Sequence, residues 1–186
     1  MSEITKVLIR ILPFLVILIV LNIRIKQKKI STSELAIQKP DSKKKYFIWC
    51  ISFLLFCLIT EYLLYRNGIL EIKKQSFNLV PSIIRIIGMV IIAPIAEELI
   101  YRGLFLSKLI SLKISKHIAI FILALIFVGS HSFAFENTLS SKIGIAQTFI
   151  DASLFSYARF STKSIYTPIT MHMTGNLIAT LEIFLL

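Results

Sequence analysis

The chain has 186 residues, of which 56 % are apolar or aromatic and 17 % charged, with a formal net charge of +11. Mean hydropathy is +0.80. The low charge fraction and the fourteen Phe exclude intrinsic disorder, and apolar runs of roughly twenty residues exclude a soluble domain.

Six candidate spans follow in chain order: Val7–Ile23, Tyr46–Tyr65, Leu79–Leu106, His117–Phe135, Ile143–Tyr157 and Thr167–Leu186. Each approaches the ~20 residues that cross ~30 Å of hydrocarbon, although the fifth is short and the third long. The expected fold is all-α, a polytopic helical membrane protein with about six transmembrane helices. The first span lacks the small-residue cleavage site of a signal peptide and is expected to stay. Cys50 and Cys57 share one apolar run and read as small buried hydrophobes.

The positive charge is unevenly placed. Eight of the 21 basic residues lie between the first two spans, from Arg24 to Lys45. Lys108, Lys113 and Lys116 follow the third span, and Arg159 with Lys163 the fifth. The positive-inside bias puts these loops in the cytoplasm and both termini outside, with Arg66, Lys73 and Lys74 as a mild counterweight. The first loop is also expected to touch membrane lipids, at about 1 kcal/mol per basic residue near an anionic surface. No nucleic-acid partner is expected. Within that loop Ser31 and Glu34 have capping-box spacing and predict a short surface helix.

An ionisable group in hydrocarbon costs from ~2.5 to over 10 kcal/mol, so each one needs a partner or a task. The densest group is Ala93-Pro94-Ile95-Ala96-Glu97-Glu98-Leu99-Ile100-Tyr101-Arg102-Gly103 in the third span. Glu98 and Arg102 are four apart on a helix and pair in the favoured acid-first order, a structural and positioning role. Glu97 points about 100° away, and Pro94 beside it removes a backbone hydrogen bond and invites a kink. In the fourth span Phe127 and His131 are expected on one helical face, with Gly129 permitting close approach of another helix. In the sixth, His172 and Asn176 share a face beside Gly175.

Polar groups on three spans must converge to be satisfied in lipid. In one cavity, Glu97, His131, His172 and Asn176 form the inventory of a hydrolase. A carboxylate with a histidine can deprotonate water, with gains of ~10²–10⁴. An imidazole N–H and a carboxamide can donate to the oxyanion of a tetrahedral intermediate. Glu97, His131 and His172 also suit Zn²⁺, and the residues fit both schemes.

Glu97-Glu98-x-x-x-Arg102, Phe127-x-x-x-His131 and His172-x-x-x-Asn176 resemble, in order and spacing, the motifs of the CPBP family of intramembrane proteases. This family is also called Abi, or CAAX-protease and bacteriocin-processing, and its type II CAAX prenyl endopeptidases carry the same three motifs. The resemblance covers roughly Val80 to Thr180, and implies a catalytic membrane domain over 80–186 preceded by two scaffolding helices in 1–79. It implies an all-helical endopeptidase acting on a membrane-associated protein or peptide. Short bacterial members are linked to bacteriocin maturation or self-immunity. By motif position, Glu97 with His131 would activate water, His172 with Asn176 would stabilise the oxyanion, and Glu98 with Arg102 would position the helix. Such proteins are commonly labelled metalloproteases, yet this scheme needs no metal. The segments lack the His-Glu-x-x-His of zinc site-2 proteases and the Gly-x-Ser-Gly of rhomboid-type enzymes.

Some residues stay outside the scheme. Asp151 is expected to pair with Arg102 or Arg85 across helices. Glu61 and Glu182 are expected to snorkel from span ends, and His117 to be idle. Counting from the turns, Glu97 and His131 lie level while His172 is shallower, so tilt or a kink must close the gap. A non-catalytic immunity or regulatory protein that binds a peptide or membrane partner is the alternative, and a small proton-coupled transporter a third. The expected location is the plasma membrane of a bacterium.

Overall fold

A computed structural model describes residues 2–69 and 77–185. All regular structure among them is helical. The six principal helices are α1 (Glu3–Lys26), α2 (Lys43–Arg66), α3 (Leu79–Ser111), α4 (Lys116–Gly129), α5 (Leu139–Thr162) and α6 (Tyr166–Leu185). The bundle is all-α, as the sequence predicts. Three helices, α1, α2 and α3, are long and apolar enough to cross a membrane, and α4 is a shorter apolar helix. α1 and α2 turn rows of large apolar side chains outward, among them Leu8, Leu12, Ile51 and Leu58. That face suits lipid, because hydrocarbon does not penalise exposed Leu and Ile as water does.

α3, α5 and α6 form the centre of the bundle. α4 lies along α5, α6 packs between α2 and α5, and α1 lies against α3. The α1–α3 contact is close because α3 carries Gly88, where the side chain of Ile11 fills the place of a Cβ. Close approaches do not occur where the sequence suggests them. A Cβ on Gly129 would meet nothing, and one on Gly175 would make only an ordinary contact with Phe53 at 3.6 Å.

α3 is not a uniform α-helix. Two π-helical segments, Ile87–Ile92 and Leu99–Phe105, flank an α-helical turn at Ala93–Glu98. Proline explains the first. Pro94 has no N–H, so somewhere a carbonyl one turn back loses its partner. Ala93 donates to the Gly88 carbonyl, five residues back. In that register the Met89 carbonyl faces the proline imide, and it accepts from Asn176 Nδ2 on α6 at 2.8 Å instead. The kink expected at Pro94 is thus a π bulge stapled by another helix. Such bulges recur at functional sites.

Two span ends differ from the hydropathy pattern. α4 stops at Gly129, and His131 is extended (φ −101°, ψ 136°) before a short 3₁₀ turn at Ser132–Phe135. α5 is longer than its apolar stretch, running 24 residues from Leu139 after the N-cap Thr138, whose hydroxyl accepts the Ser141 N–H in a capping box.

The loop between α1 and α2 is built into the bundle. Ser31 and Glu34 do form reciprocal cap bonds, 2.7 Å and 3.1 Å, but around a turn rather than a helix. Leu35 behind them is 0 % exposed and packs on Gly103 of α3. Ile165 N–H donates to the Ala36 carbonyl, Asp41 N–H to the Thr162 carbonyl, and Ser107 Oγ to the Glu34 carbonyl. The loop therefore straps the ends of α3, α5 and α6 together.

Candidate active site

The centre of the site is His172, held between the two glutamates of α3. Its Nδ1 lies 2.9 Å from Glu98 Oε1, and its Nε2 lies 3.5 Å from Glu97 Oε2. A carboxylate can only accept, so the ring donates at Nδ1. The depth offset expected from the sequence is absorbed, and the turn carrying both glutamates lies between the two π segments.

The adjacent carboxylates meet different surroundings. Glu98 and Arg102 are both 0 % exposed and joined at 2.7 Å. Arg102 also donates to the Ala152 carbonyl at 2.9 Å and to Ser156 Oγ at 3.4 Å. Its guanidinium lies over the rings of Phe127 at 4.7 Å and Phe155 at 5.3 Å. Planar stacking and forked donors of this kind are specific to arginine. Glu97 keeps 19 % side-chain exposure and lines a cavity of about 480 Å³ together with His131, His172 and Asn176. That volume lies within the roughly 300–1,000 Å³ of small-ligand sites.

His131 reaches this cavity from beyond the end of α4, not from a helical face. Its Nδ1 donates to the Phe127 carbonyl at 2.8 Å, so the residue still depends on the Phe127-x-x-x-His131 spacing. The bond consumes Nδ1 and leaves Nε2 as the ring's second nitrogen. No ion pair joins His131 to Glu97. Asn176 uses one amide hydrogen on the Met89 carbonyl, and its carboxamide has a second donor. All four residues expected at the site are brought together, as is the supporting Glu98–Arg102 pair.

Aromatic residues hold the centre in place. Phe155 stacks on His172 (centroids 5.1 Å, 24° between planes), while Phe127 meets His131 and His172 edge-on. The role of Phe155 was not legible alone. Its signal is a run on α5, where Ala152 and Ser156 face Arg102, and Asp151 and Phe155 line a second, smaller cavity.

Asp151 differs from expectation. Arg102 spends its donors elsewhere, and Asp151 Oδ1 is buried without a hydrogen-bond partner among the described residues. Asp151 lines a second cavity of about 200 Å³ that also touches His131, His172 and Asn176. Glu61 lines it too and accepts from Gln147 Nε2 at 3.1 Å, so it does not snorkel. His117 is likewise engaged, with Nδ1 2.8 Å from the Tyr157 hydroxyl. Cys57 is buried in the core with Phe53 and Phe155, and both cysteines are free thiols.

Among the described residues no three His, Cys, Asp or Glu side chains gather as a metal-binding set. Glu97, His131 and His172, the ligands considered for Zn²⁺, do not form one, and His172 already meets a carboxylate at each nitrogen.

No curated protein and no solved structure matches the chain. A family model described as Type II CAAX prenyl endopeptidase Rce1-like matches residues 78–178, more than half of the chain. The matched stretch holds α3, the Phe127–His131 segment, α5 and the His172–Asn176 turn of α6. This multi-pass membrane protein belongs to the Rce1-like family of type II CAAX prenyl endopeptidases.

Proposed function

We propose that the chain is an intramembrane endopeptidase in which Glu97 and His131 activate water and His172 and Asn176 receive the oxyanion. The observation that carries this reading is the asymmetry at adjacent positions: Glu98 is fully buried with Oε1 bound by both Arg102 and His172, while Glu97 faces the cavity.

A water between Glu97 and His131 Nε2 gives its proton to the Glu97 carboxylate as its oxygen attacks the peptide carbonyl carbon. The carbonyl π electrons move to oxygen, where Asn176 Nδ2 donates its second hydrogen. His172, when protonated, donates there from Nε2. Glu98 on Nδ1 fixes that ring's tautomer and orientation, as a carboxylate does for a catalytic imidazole. Collapse breaks the C–N bond, and the amine leaves with the proton that Glu97 had taken. The Met89 carbonyl aims Asn176, so the donor is positioned before substrate arrives. A single such donor is worth about 3 kcal/mol of transition-state stabilisation.

The substrate on this reading is a membrane-associated peptide or protein in a bacterial plasma membrane, and bacteriocin maturation or self-immunity is the biological setting. The family resemblance supports that setting. The test compares membrane and secreted peptides from cells making the parent chain, Glu97→Gln or His131→Ala at matched levels. New peptide ends found only with the parent chain are expected and would identify the substrate. Identical peptides in all three strains would overturn the protease reading, and a phenotype that persists in Glu97→Gln would favour a binding role.

A further inference from the structure

α1 and α3 both end at the face that carries the 24–45 loop, and a pocket of about 410 Å³ lies between that loop and the end of α3. Lys29 and Ile30 line it from the loop, just past α1, and Leu104, Lys108 and Ser111 line it from α3. The three α3 residues are spaced i, i+4 and i+7, one stripe of the helix. From Leu104 to Ser111 the stripe climbs about 10 Å and passes from apolar to polar. Phe105 lines the apolar end and is 46 % exposed, continuous with the lipid-facing surface. Within its own height the pocket therefore crosses from hydrocarbon to headgroup depth.

Neither ammonium group in it is engaged. Lysines near a helix C-terminus often hydrogen-bond the last free carbonyls, but here the backbone does so. At the end of α1, the carbonyls of Ile23, Arg24 and Ile25 accept from the N–H groups of Gln27, Lys29 and Lys28. At the end of α3, those of Lys108, Leu109 and Ile110 accept from Leu112, Ile114 and Lys113. Lys28 and Lys113 take the left-handed conformation that closes such caps, with φ of 56° and 62°. Among the described residues only Lys45 has a hydrogen-bonded ammonium, and neither Lys29 nor Lys108 has an ion pair. The acid that lines the pocket, Glu34, already has Oε2 bound by the Ser31 N–H and hydroxyl.

Two unneutralised lysines above an apolar wall match an anionic headgroup above its acyl chains. An acidic soluble partner would answer the lysines and leave Leu104 and Phe105 without a counterpart. We infer that this pocket is a binding site for an anionic glycerophospholipid, its phosphate held by Lys29 and Lys108 and its first acyl carbons laid along Ile30, Leu104 and Phe105. The lipid bridges the loop to α3 about one turn from Gly103, where Leu35 packs. The site stands whether or not the chain hydrolyses peptides.

The test is native mass spectrometry of the full chain in mild detergent, titrated with dioleoyl-phosphatidylglycerol or dioleoyl-phosphatidylcholine. One phosphatidylglycerol should bind at concentrations where phosphatidylcholine does not. Lys29→Gln/Lys108→Gln should weaken that binding about twentyfold to thirtyfold, from about fivefold for each lysine. Lys43→Gln/Lys44→Gln removes the same charge at the start of α2, outside the pocket, and should leave the binding unchanged. All four lysines are exposed, so both variants should keep the parent melting temperature. Hydrogen exchange at the Leu35, Ala36 and Ile37 amides should slow on adding phosphatidylglycerol to the parent chain, and not in the pocket variant. Equal weakening by the two double substitutions would make the attraction a diffuse property of the basic face and overturn the site. Equal affinity for the two lipids overturns it as well. Displacement of phosphatidylglycerol by inorganic phosphate would mark a site for a soluble anion and overturn the lipid as occupant.

Discussion

Glu97 and Glu98 are neighbours in sequence, yet they live in different media. Glu98 is buried against His172 and against Arg102, whose guanidinium lies over two aromatic rings, while Glu97, one helical step around, looks into a cavity with a single loose contact to His172. The difference shows how a helix in lipid can hold one carboxylate for structure and another for chemistry. The sealed ion pair fixes the azimuth of α3, and that azimuth aims the open carboxylate.

The comparison breaks most directly at its open member. Glu97→Gln should lower turnover by about 10²–10⁴-fold, with an unchanged melting temperature in detergent. A comparable fall in thermal stability would show that Glu97 is structural after all. At the sealed member the order reverses. Arg102→Met leaves Glu98 buried without its cation and should destabilise by about 3–5 kcal/mol, read as a lower melting temperature and depleted membrane levels. Glu98→Gln/Arg102→Met should regain most of that loss, because the orphan charge goes too.

Asn176 sharpens the contrast, since it serves both sides. Asn176→Leu should cost about 10²–10³ in turnover and also lower the melting temperature, by leaving the Met89 carbonyl unpaired. Adding Pro94→Ala supplies an N–H five residues on and should restore stability without activity. Recovery of both would place Asn176 in packing alone. Further along α3, Gly103→Ala puts a Cβ 2.9 Å from Leu35 Cδ2 and should cost about 1–3 kcal/mol. Leu35→Ala in the same chain should relieve part of it.

A third glutamate gives the solvent-exposed limit. The Ser31 N–H and hydroxyl both donate to Glu34, holding its carboxyl below the ordinary glutamate value. A lowered folded pKa contributes stability above the unfolded value and loses it as pH falls through the folded one. The protection of the Ser31 amide against hydrogen exchange, relative to its intrinsic rate at each pH, should therefore fall on acidification, and not in Glu34→Gln. This is the smallest of the effects, because the side chain is fully solvated.

Most of the site could be read from the chain because membrane burial makes each ionisable residue conspicuous. Glu97, His131, His172 and Asn176 stood out as polar groups in apolar segments, and the structure gathers them. The ends of α4 and α5 could not be read the same way. Phe133 and Phe135 prolong the apolar run past Gly129, where the helix has already stopped, while the polar first turn of α5 hides its true start. The partnerless state of Asp151 was hidden for a related reason. Spacing along one helix reveals i,i+4 partners such as Glu98–Arg102, but whether Arg102 has a donor left for α5 depends on the Ala152 carbonyl and Ser156. The role of the 24–45 loop was equally hidden, since most of its bonds reach residues more than a hundred positions away.

Those bonds set a timetable for biogenesis. Asp41 pairs with Thr162 and Ala36 with Ile165, so the strap can rest on α3 early but cannot reach its partners beyond α5 until the ribosome has passed that helix. Glu97 meets His172 later still. Through most of translation the nascent chain carries its first three helices with the hydrolytic centre unassembled. Contacts of such high sequence separation form slowly, because the intervening chain must be ordered first. The peptide-cutting capacity proposed for this chain can therefore switch on only as one of the last events of its own folding.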